Sequence, residues 1–451
     1  MLKIRLAALL LIATTGDAAM AAPSCLVGAY GAGAEITALT ETNPPNAPGT
    51  LRFTGVDGSN GALTPRPDGS YAGTLWTPTG KADAVLSAKS CDTGEIAIAI
   101  GTAPARSWTR FKLRETPVAF SSDGATLHGR LIEPDAASGA ALAVLVHGSE
   151  NSRAIGVYSF PYLLAAQGVA ALVYDKRGTG SSEGSYSQNF ERLAKDAAAA
   201  ADAARRAAGD RYRRIGFFGA SQGGWISPLA ARKTPVDFVV VAYGLIETPL
   251  GEDAEQVADE LRRKGYGEDV IAKARIVTDA TGAVVASHFK TGFDRLDAIK
   301  RRYGGEPWFG AFEGEYSGPM LREAPEMLRA SGRDRYDNLD IIWHHDAFGT
   351  LKALAIPQLW MMAVNDIEAP SAHSIAQLRQ LRRAGKPIDL AVFPDVDHGI
   401  REYQVEPDGT RRGTRFAAGY FPLIADWMKG HLKPSYGRSI IELAPVSARR
   451  P

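Results

Sequence analysis

The stretch Arg214-Ile215-Gly216-Phe217-Phe218-Gly219-Ala220-Ser221-Gln222-Gly223-Gly224-Trp225 decides how this chain folds. Its first half is an apolar run suited to a buried strand. Its centre, Gly-Ala-Ser-Gln-Gly, is a G-x-S-x-G match, and Trp225-Ile226-Ser227-Pro228-Leu229-Ala230-Ala231 reads as the first turns of a helix. Strand, sharp turn and helix around that centre are the setting in which a serine is held out as a nucleophile. The glycines answer a steric need. The serine takes a strained backbone conformation, and a Cβ at the flanking positions would strike the neighbouring strand or helix. The helix aims free N–H groups back toward the serine, where an oxyanion would form. A strand-to-helix turn that merely contains serine is the competing reading, and in a chain with 47 glycines the bare motif does not exclude it. A histidine and an acid elsewhere must complete the set.

Composition bounds the rest. With 451 residues, 45% hydrophobic and 22% charged, the chain has room for one large domain and a smaller one. The net charge is +1 with Lys and Arg spread along the chain, so neither nucleic-acid binding nor a polybasic membrane patch is expected. Lys3 and Arg5, the apolar stretch 6–13 and Ala19-Met20-Ala21 have the layout of a signal peptide. Residues 1–21 are expected to be removed between Ala21 and Ala22, giving a periplasmic or secreted protein. The apolar run is too short for a stable membrane anchor. Cys25 and Cys91 are the only cysteines. In an oxidising compartment the pair reads as a disulfide rather than a metal site, which needs more ligands; two buried free thiols are the alternative.

Residues 22–115 read as a small β-rich domain. Asp57-Gly58, Asn60-Gly61, Pro67-Asp68-Gly69 and Thr79-Gly80 separate strand-like pieces such as 51–53, 71–76 and 95–100, which predicts an antiparallel sheet or small barrel. A large domain is expected over 116–433. A hairpin around Asp123-Gly124 leads into the apolar run 141–146 and His147-Gly148-Ser149. A helix at 157–167, a strand at 169–174, an alanine-rich helix at 190–208, the Ser221 turn and a strand at 236–243 follow. Apolar strands alternating with helices predict a doubly wound, mostly parallel α/β sheet. Between 245 and 354 the alternation stops. Charged helical stretches, with Trp308-Phe309-Gly310-Ala311-Phe312 and Trp343-His344-His345-Asp346, read as a helical cap insertion. Its aromatics are expected either to pack the cap onto the sheet or to line a pocket. The sheet resumes with a strand at 356–364 delivering Asn365-Asp366, a helix at 371–383, a strand at 388–393 leading to Asp397-His398-Gly399, and a helix at 414–431. The tail, 434–451, is given no element.

Ser221, Asp366 and His398 each follow a predicted strand and so fall at the C-terminal edge of a parallel sheet, where open α/β sheets place ligands. The segment 117–432 resembles the α/β-hydrolases and is similar to bacterial serine carboxylesterases with an extra N-terminal domain. The resemblance rests on His147-Gly148-Ser149, on Tyr174-Asp175-Lys176-Arg177-Gly178-Thr179-Gly180-Ser181-Ser182, on 219–225, on Val364-Asn365-Asp366 with Pro370, and on Asp397-His398-Gly399. One departure is Ala363-Val364-Asn365, where such families often carry a glycine. The chain order serine, acid, histidine is also theirs.

The roles that follow are Ser221 as nucleophile, His398 as base and then acid, and Asp366 as the group orienting the imidazole. Main-chain N–H groups of Gln222 and Ser149 are expected to form the oxyanion hole. Glu247 and Glu368 are the other candidates for the acid. Asp175 with Arg177 reads as a buried loop-fixing pair, and Glu150 with Arg153 either as substrate contacts or, more simply, as a salt bridge pinning the oxyanion loop. His344 and His345 are either pocket lining or polar surface. The expected activity is hydrolysis of small-molecule carboxylic esters through an acyl-enzyme. A serine peptidase on the same fold, and a non-catalytic binding protein retaining it, are the alternatives. No metal or organic cofactor is implied.

Overall fold

Eight short strands, β1 to β8 (Gly28–Ala32, Glu35–Glu41, Leu51–Gly55, Asn60–Pro65, Tyr71–Thr77, Gly80–Ala88, Glu95–Ile100 and Arg106–Arg110), follow one another as antiparallel neighbours. β8 returns to β1, with Tyr30 opposite Arg110 and Gly31 opposite Thr109, and closes a barrel. Closure removes the exposed edges of an open sheet. Alternation sorts the side chains. Leu39, Leu51, Phe53, Leu63, Leu75 and Leu86 join Tyr30 and Trp108 in one apolar core. The pairings Ala38–Thr54, Thr40–Arg52 and Thr54–Asn60 put those residues together on the outer face. This computed structural model describes residues 25–445 apart from 33–34, 44–47, 89–92 and 136–138. The expected signal peptide and its cleavage site lie outside the described residues. So does Cys91; Cys25 is described and is not free.

β9 (Leu113–Ser122) and β10 (Ala125–Pro134) form an antiparallel hairpin at one edge of a nine-stranded sheet. β11 (Gly139–Val146), β12 (Ala170–Tyr174), β13 (Tyr212–Ala220), β14 (Phe238–Ala242), β15 (Gln358–Ala363) and β16 (Ile388–Phe393) run parallel in the order β16-β15-β14-β13-β11-β12. Their central residues are buried on both faces, as continuous apolar runs require. Helices α1 (Phe160–Ala166), α2 (Phe190–Ala208) and α3 (Gly223–Ala231) fill the first crossovers.

Between β14 and β15 come six cap-region helices, α4 to α9 (Pro249–Arg263, Glu268–Ala286, Phe293–Tyr303, Ser317–Arg322, Pro325–Tyr336 and Ala347–Ala353). Trp308, Phe312, Tyr316 and Trp343 pack against Val257, Leu261 and Val277 of α4 and α5. The aromatic segments therefore build a core inside the cap itself. α9 instead joins the sheet's core through Ala347 and Leu351. After β15 come α10 (Ala372–Arg383) and α11 (Tyr420–Lys429). α2, α3 and α10 cover one face of the sheet, and α1 and α11 the other.

Two expectations need correction. The last helix was placed from 414, but Thr414 belongs to a two-stranded ribbon, β17 (Arg401–Val405) with β18 (Arg411–Phe416). α11 starts only after Gly419, whose φ of 83° turns the chain. The described part of the tail, 434–445, is also structured, since β19 (Ile440–Glu442) pairs antiparallel with β16 and the Tyr436 hydroxyl bonds Asp426 at 3.0 Å.

The barrel is seated on the larger lobe. Ala29 and Ala38 are buried in the core on the α1 and α11 side. Phe416 N–H donates to Gly58 O at 2.9 Å, Glu41 N–H to Gly156 O at 2.8 Å, and Arg153 pairs with Glu41.

Candidate active site

β13 ends at Ala220 and α3 begins at Gly223, so Ser221 and Gln222 form the turn between them. Ser221 has φ 52°, a left-handed conformation that an L-residue holds only when its surroundings impose it. They do so here. Its N–H donates to Ala242 O of β14 at 3.0 Å, and its carbonyl accepts from Gly224 N–H at 2.7 Å. A Cβ on Gly219 would collide with the Gly223 carbonyl, and one on Gly223 with the Val146 carbonyl. The motif is what the close approach of three backbones demands.

The loops after β15 and β16 bring the other two residues to the serine. His398 Nε2 lies 3.2 Å from Ser221 Oγ, and His398 Nδ1 lies 2.8 Å from Asp366 Oδ2. The second Asp366 oxygen accepts the N–H groups of Glu368 and Ala369 at 3.0 and 2.8 Å, which aims the buried carboxylate. The other acid candidates stand elsewhere. Glu247 bonds Ser374 and lies 3.3 Å from His373, while Glu368 stands 3.7 Å from the Nε2 side of His398. Asp397 accepts the N–H groups of Ile367 and His398 and pairs with Arg411 at 3.3 Å, fixing the loop that carries the histidine. Burial would lower the pKa of His398, but Asp366 and then Glu368 outweigh it and raise it to about 9.

The loop after β11 abuts the serine: a Cβ on Gly148 would stand 3.3 Å from Ser221 Cβ. Among the described residues neither the Ser149 nor the Gln222 N–H donates a hydrogen bond. The loop is held from behind. Lys176 Nζ donates to Gly148 O at 2.6 Å, the Tyr186 hydroxyl donates to Ser149 O, and the Tyr158 hydroxyl donates to Glu150. His147 is buried, 3.2 Å from Tyr174 O, with its pKa lowered to about 3 by burial and then by Lys176. It is a neutral strut.

Acidic groups gather on the cap side. Burial, then Glu315, Glu368 and Glu247, holds Glu252 in the first turn of α4 well above the usual carboxylate range. Burial, then Asp253 and Glu368, raises Glu315 to about 7. For Glu368 burial pulls upward, but the lowering effects together, His398 the largest of them, hold the group below the usual carboxylate value.

Several side chains sit elsewhere than expected. Arg177 pairs with Asp196 in a buried contact of 2.6 Å, not with Asp175. Asp175 accepts the N–H groups of Ala154, Ile155 and Ser181 instead. Arg153 and Glu150 do not pair, since Arg153 reaches Glu41 across the barrel seam. His345 packs edge-on against Phe190, ring centroids 5.4 Å apart, and lines with His344 a cavity that touches none of Ser221, Asp366 or His398. Sequence reading also missed Tyr243. Its φ is 44°, and its ring lies edge-on to His398 with centroids 4.8 Å apart. An aromatic residue at the sheet's C-terminal edge, just before Gly244, was the available signal.

Residues 138–248 match the family model described as serine aminopeptidase, S33, and residues 323–423 match that of the prolyl oligopeptidase family. No curated protein matches the sequence. Among solved structures, an esterase of Pyrococcus furiosus is 14% identical, covering 64% of this chain and 84% of its own, with a TM-score of 0.39. An acylaminoacyl peptidase of Pyrococcus horikoshii is 15% identical over 80% and 52%, TM-score 0.39, and an alpha/beta hydrolase of Penicillium 17% identical over 64% and 92%, TM-score 0.39. Likenesses of this size carry no substrate across. With its parallel sheet, its serine turn after β13 and its helical cap between β14 and β15, the chain is a serine hydrolase of the α/β-hydrolase fold.

Proposed function

We propose that the protein hydrolyses carboxylic esters through an acyl-enzyme on Ser221. The observation that carries this reading is the line Asp366, His398, Ser221, joined at 2.8 and 3.2 Å. His398 takes the Oγ proton as Oγ attacks the ester carbonyl. The developing oxyanion accepts from the Gln222 and Ser149 amides. The tetrahedral intermediate expels the alcohol, which receives the proton from His398. Water, deprotonated by the same imidazole, then releases the acid. Asp366 holds Nδ1–H and stabilises the imidazolium. An ester asks for nothing beyond this set. Ser221→Ala is expected to lower hydrolysis of short acyl p-nitrophenyl esters by at least about 10⁴-fold; turnover retained in that variant overturns the reading.

A second reading, peptide hydrolysis, has one observation in its favour. Glu252, Glu315 and Glu368 crowd the cap side near His398 and suit a substrate's ammonium group. Both matched family models also bear peptidase names. Faster cleavage of an aminoacyl p-nitroanilide than of its N-acetylated form and of p-nitrophenyl esters favours this reading; the reverse order disfavours it. We also propose export with removal of residues 1–21, and a Cys25–Cys91 disulfide in the mature protein.

A further inference from the structure

Two arginines stand near one another at the seam between barrel and hydrolase lobe, and among the described residues no carboxylate pairs with either. Arg401 lies three residues after His398. Its side chain runs back beside the histidine loop: Nε would be 3.6 Å from a Cβ on Gly399, and Cδ 3.5 Å from one on Gly413. Its guanidinium lies over the Phe416 ring, 4.1 Å from the centroid. Arg52 projects from the outer face of the barrel, opposite Thr40. On that same face Asn60 Nδ2 reaches Thr414 O, next to Gly413. Among the described residues neither guanidinium makes an ion pair or donates a hydrogen bond, and none of their nitrogens is sealed from solvent. Burial, and then the charge of Arg52, pulls Arg401 down to about 10.

A pair of half-buried like charges is costly, and it calls for an anion. The surroundings are arranged for one. The hydroxyls of Thr40 and Thr54 on the barrel face, and of Tyr420 beneath Arg401, are wholly buried and have no partner among the described residues. Arg401 also acts on Tyr243, whose ring rests against His398. The arginines thus stand on the flank of the base. His398 must hand its proton to the departing alcohol, so its flank faces the leaving group rather than the acyl chain.

We propose that Arg52 and Arg401 form a carboxylate-binding subsite on the leaving-group side of the active centre, with one arginine supplied by the barrel. The substrate class is an ester whose alcohol or phenol portion carries an ionised carboxylate. The inference rests on the ester-hydrolase reading, and its test has an arm that does not.

The test compares 4-acetoxybenzoate with 4-acetoxybenzamide, which differ in charge at one position. Wild-type kcat/KM is expected to favour the carboxylate by about tenfold or more, through KM. In Arg52→Gln the ratio falls to about one, and Arg52→Lys restores part of it. No preference in the wild type, or a preference that survives in both Arg52→Gln and Arg401→Gln, overturns the proposal. Calorimetric titration with 4-hydroxybenzoate forms the second arm. Binding by the wild type that is lost in Arg52→Gln supports the subsite even if neither ester is turned over, a result that would sink the esterase reading alone. Absence of binding overturns the subsite. Stabilisation by acetate or chloride without charge preference among the esters identifies a structural counter-ion and also overturns it.

Discussion

At the scale of single residues, His398 is the group whose state governs activity in the proposed mechanism. Its pKa of about 9 means that near neutral pH most of the enzyme holds a protonated imidazole, which cannot take the Ser221 proton. kcat/KM is therefore expected to climb with pH through the neutral range and to level off only above about pH 9. A plateau reached by pH 7 contradicts this. Glu368 contributes to the raised value from 3.7 Å. Glu368→Gln should move the rising limb to lower pH and increase kcat/KM at pH 7 severalfold, whereas an unmoved limb would deny Glu368 that role. Asp366→Asn keeps the shape but favours the wrong tautomer, and is expected to cost about 10⁴-fold in kcat. Ser221, Asp366 and His398 were legible because each follows an apolar strand in a recognisable local motif. Lys176 and Tyr243 were not. Lys176 acts by reaching 2.6 Å from a carbonyl far away in sequence, and Tyr243 acts through a left-handed backbone turn that no residue type announces.

At the scale of elements, the turn between β13 and α3 depends on glycines pressed against carbonyls. Gly223→Ala would drive a methyl group into the Val146 carbonyl oxygen. A loss of about 3 kcal/mol or more is expected, read as a lower urea midpoint, with activity reduced in the fraction that folds. An unchanged midpoint would show that β11 and α3 are less tightly joined than they look. Elements buried on both faces, such as β11 and β14, wrote themselves into the sequence as unbroken apolar runs. The β17–β18 ribbon did not. Its strands are half-exposed and rich in Arg, so they carry no alternation to read. β19 was missed because three residues on a sheet edge, beyond a proline and a glycine, are too short to leave a period.

At the scale of the whole molecule, barrel and hydrolase lobe share a core through Ala29 and Ala38, and the barrel outer face lies beside the β17–β18 ribbon. One cooperative heat-capacity transition is expected; two well-separated transitions would mean that the lobes are stable apart. Intact mass should fall short of the reduced mature chain by two hydrogen atoms if Cys25 and Cys91 are joined, and match it if they are free thiols. Turns and short strands allowed either an antiparallel sheet or a small barrel, and the choice of the closed barrel could not be read from them. Closure depends on Tyr30 meeting Arg110, a pairing set by register across the whole sheet. The cap carries Glu252 and Glu315 and the barrel carries Arg52 beside Arg401, so each of the two large additions to the core contributes ionisable side chains around the loop that holds His398. The hydrolase reading turns on Ser221 being the nucleophile. The most direct measurement is peptide mapping after treating the folded protein with a fluorophosphonate. A single phosphonyl adduct on Ser221, absent in Ser221→Ala and formed far more slowly in Asp366→Asn, is the expected result. An unlabelled protein, or an adduct on any other residue, contradicts it.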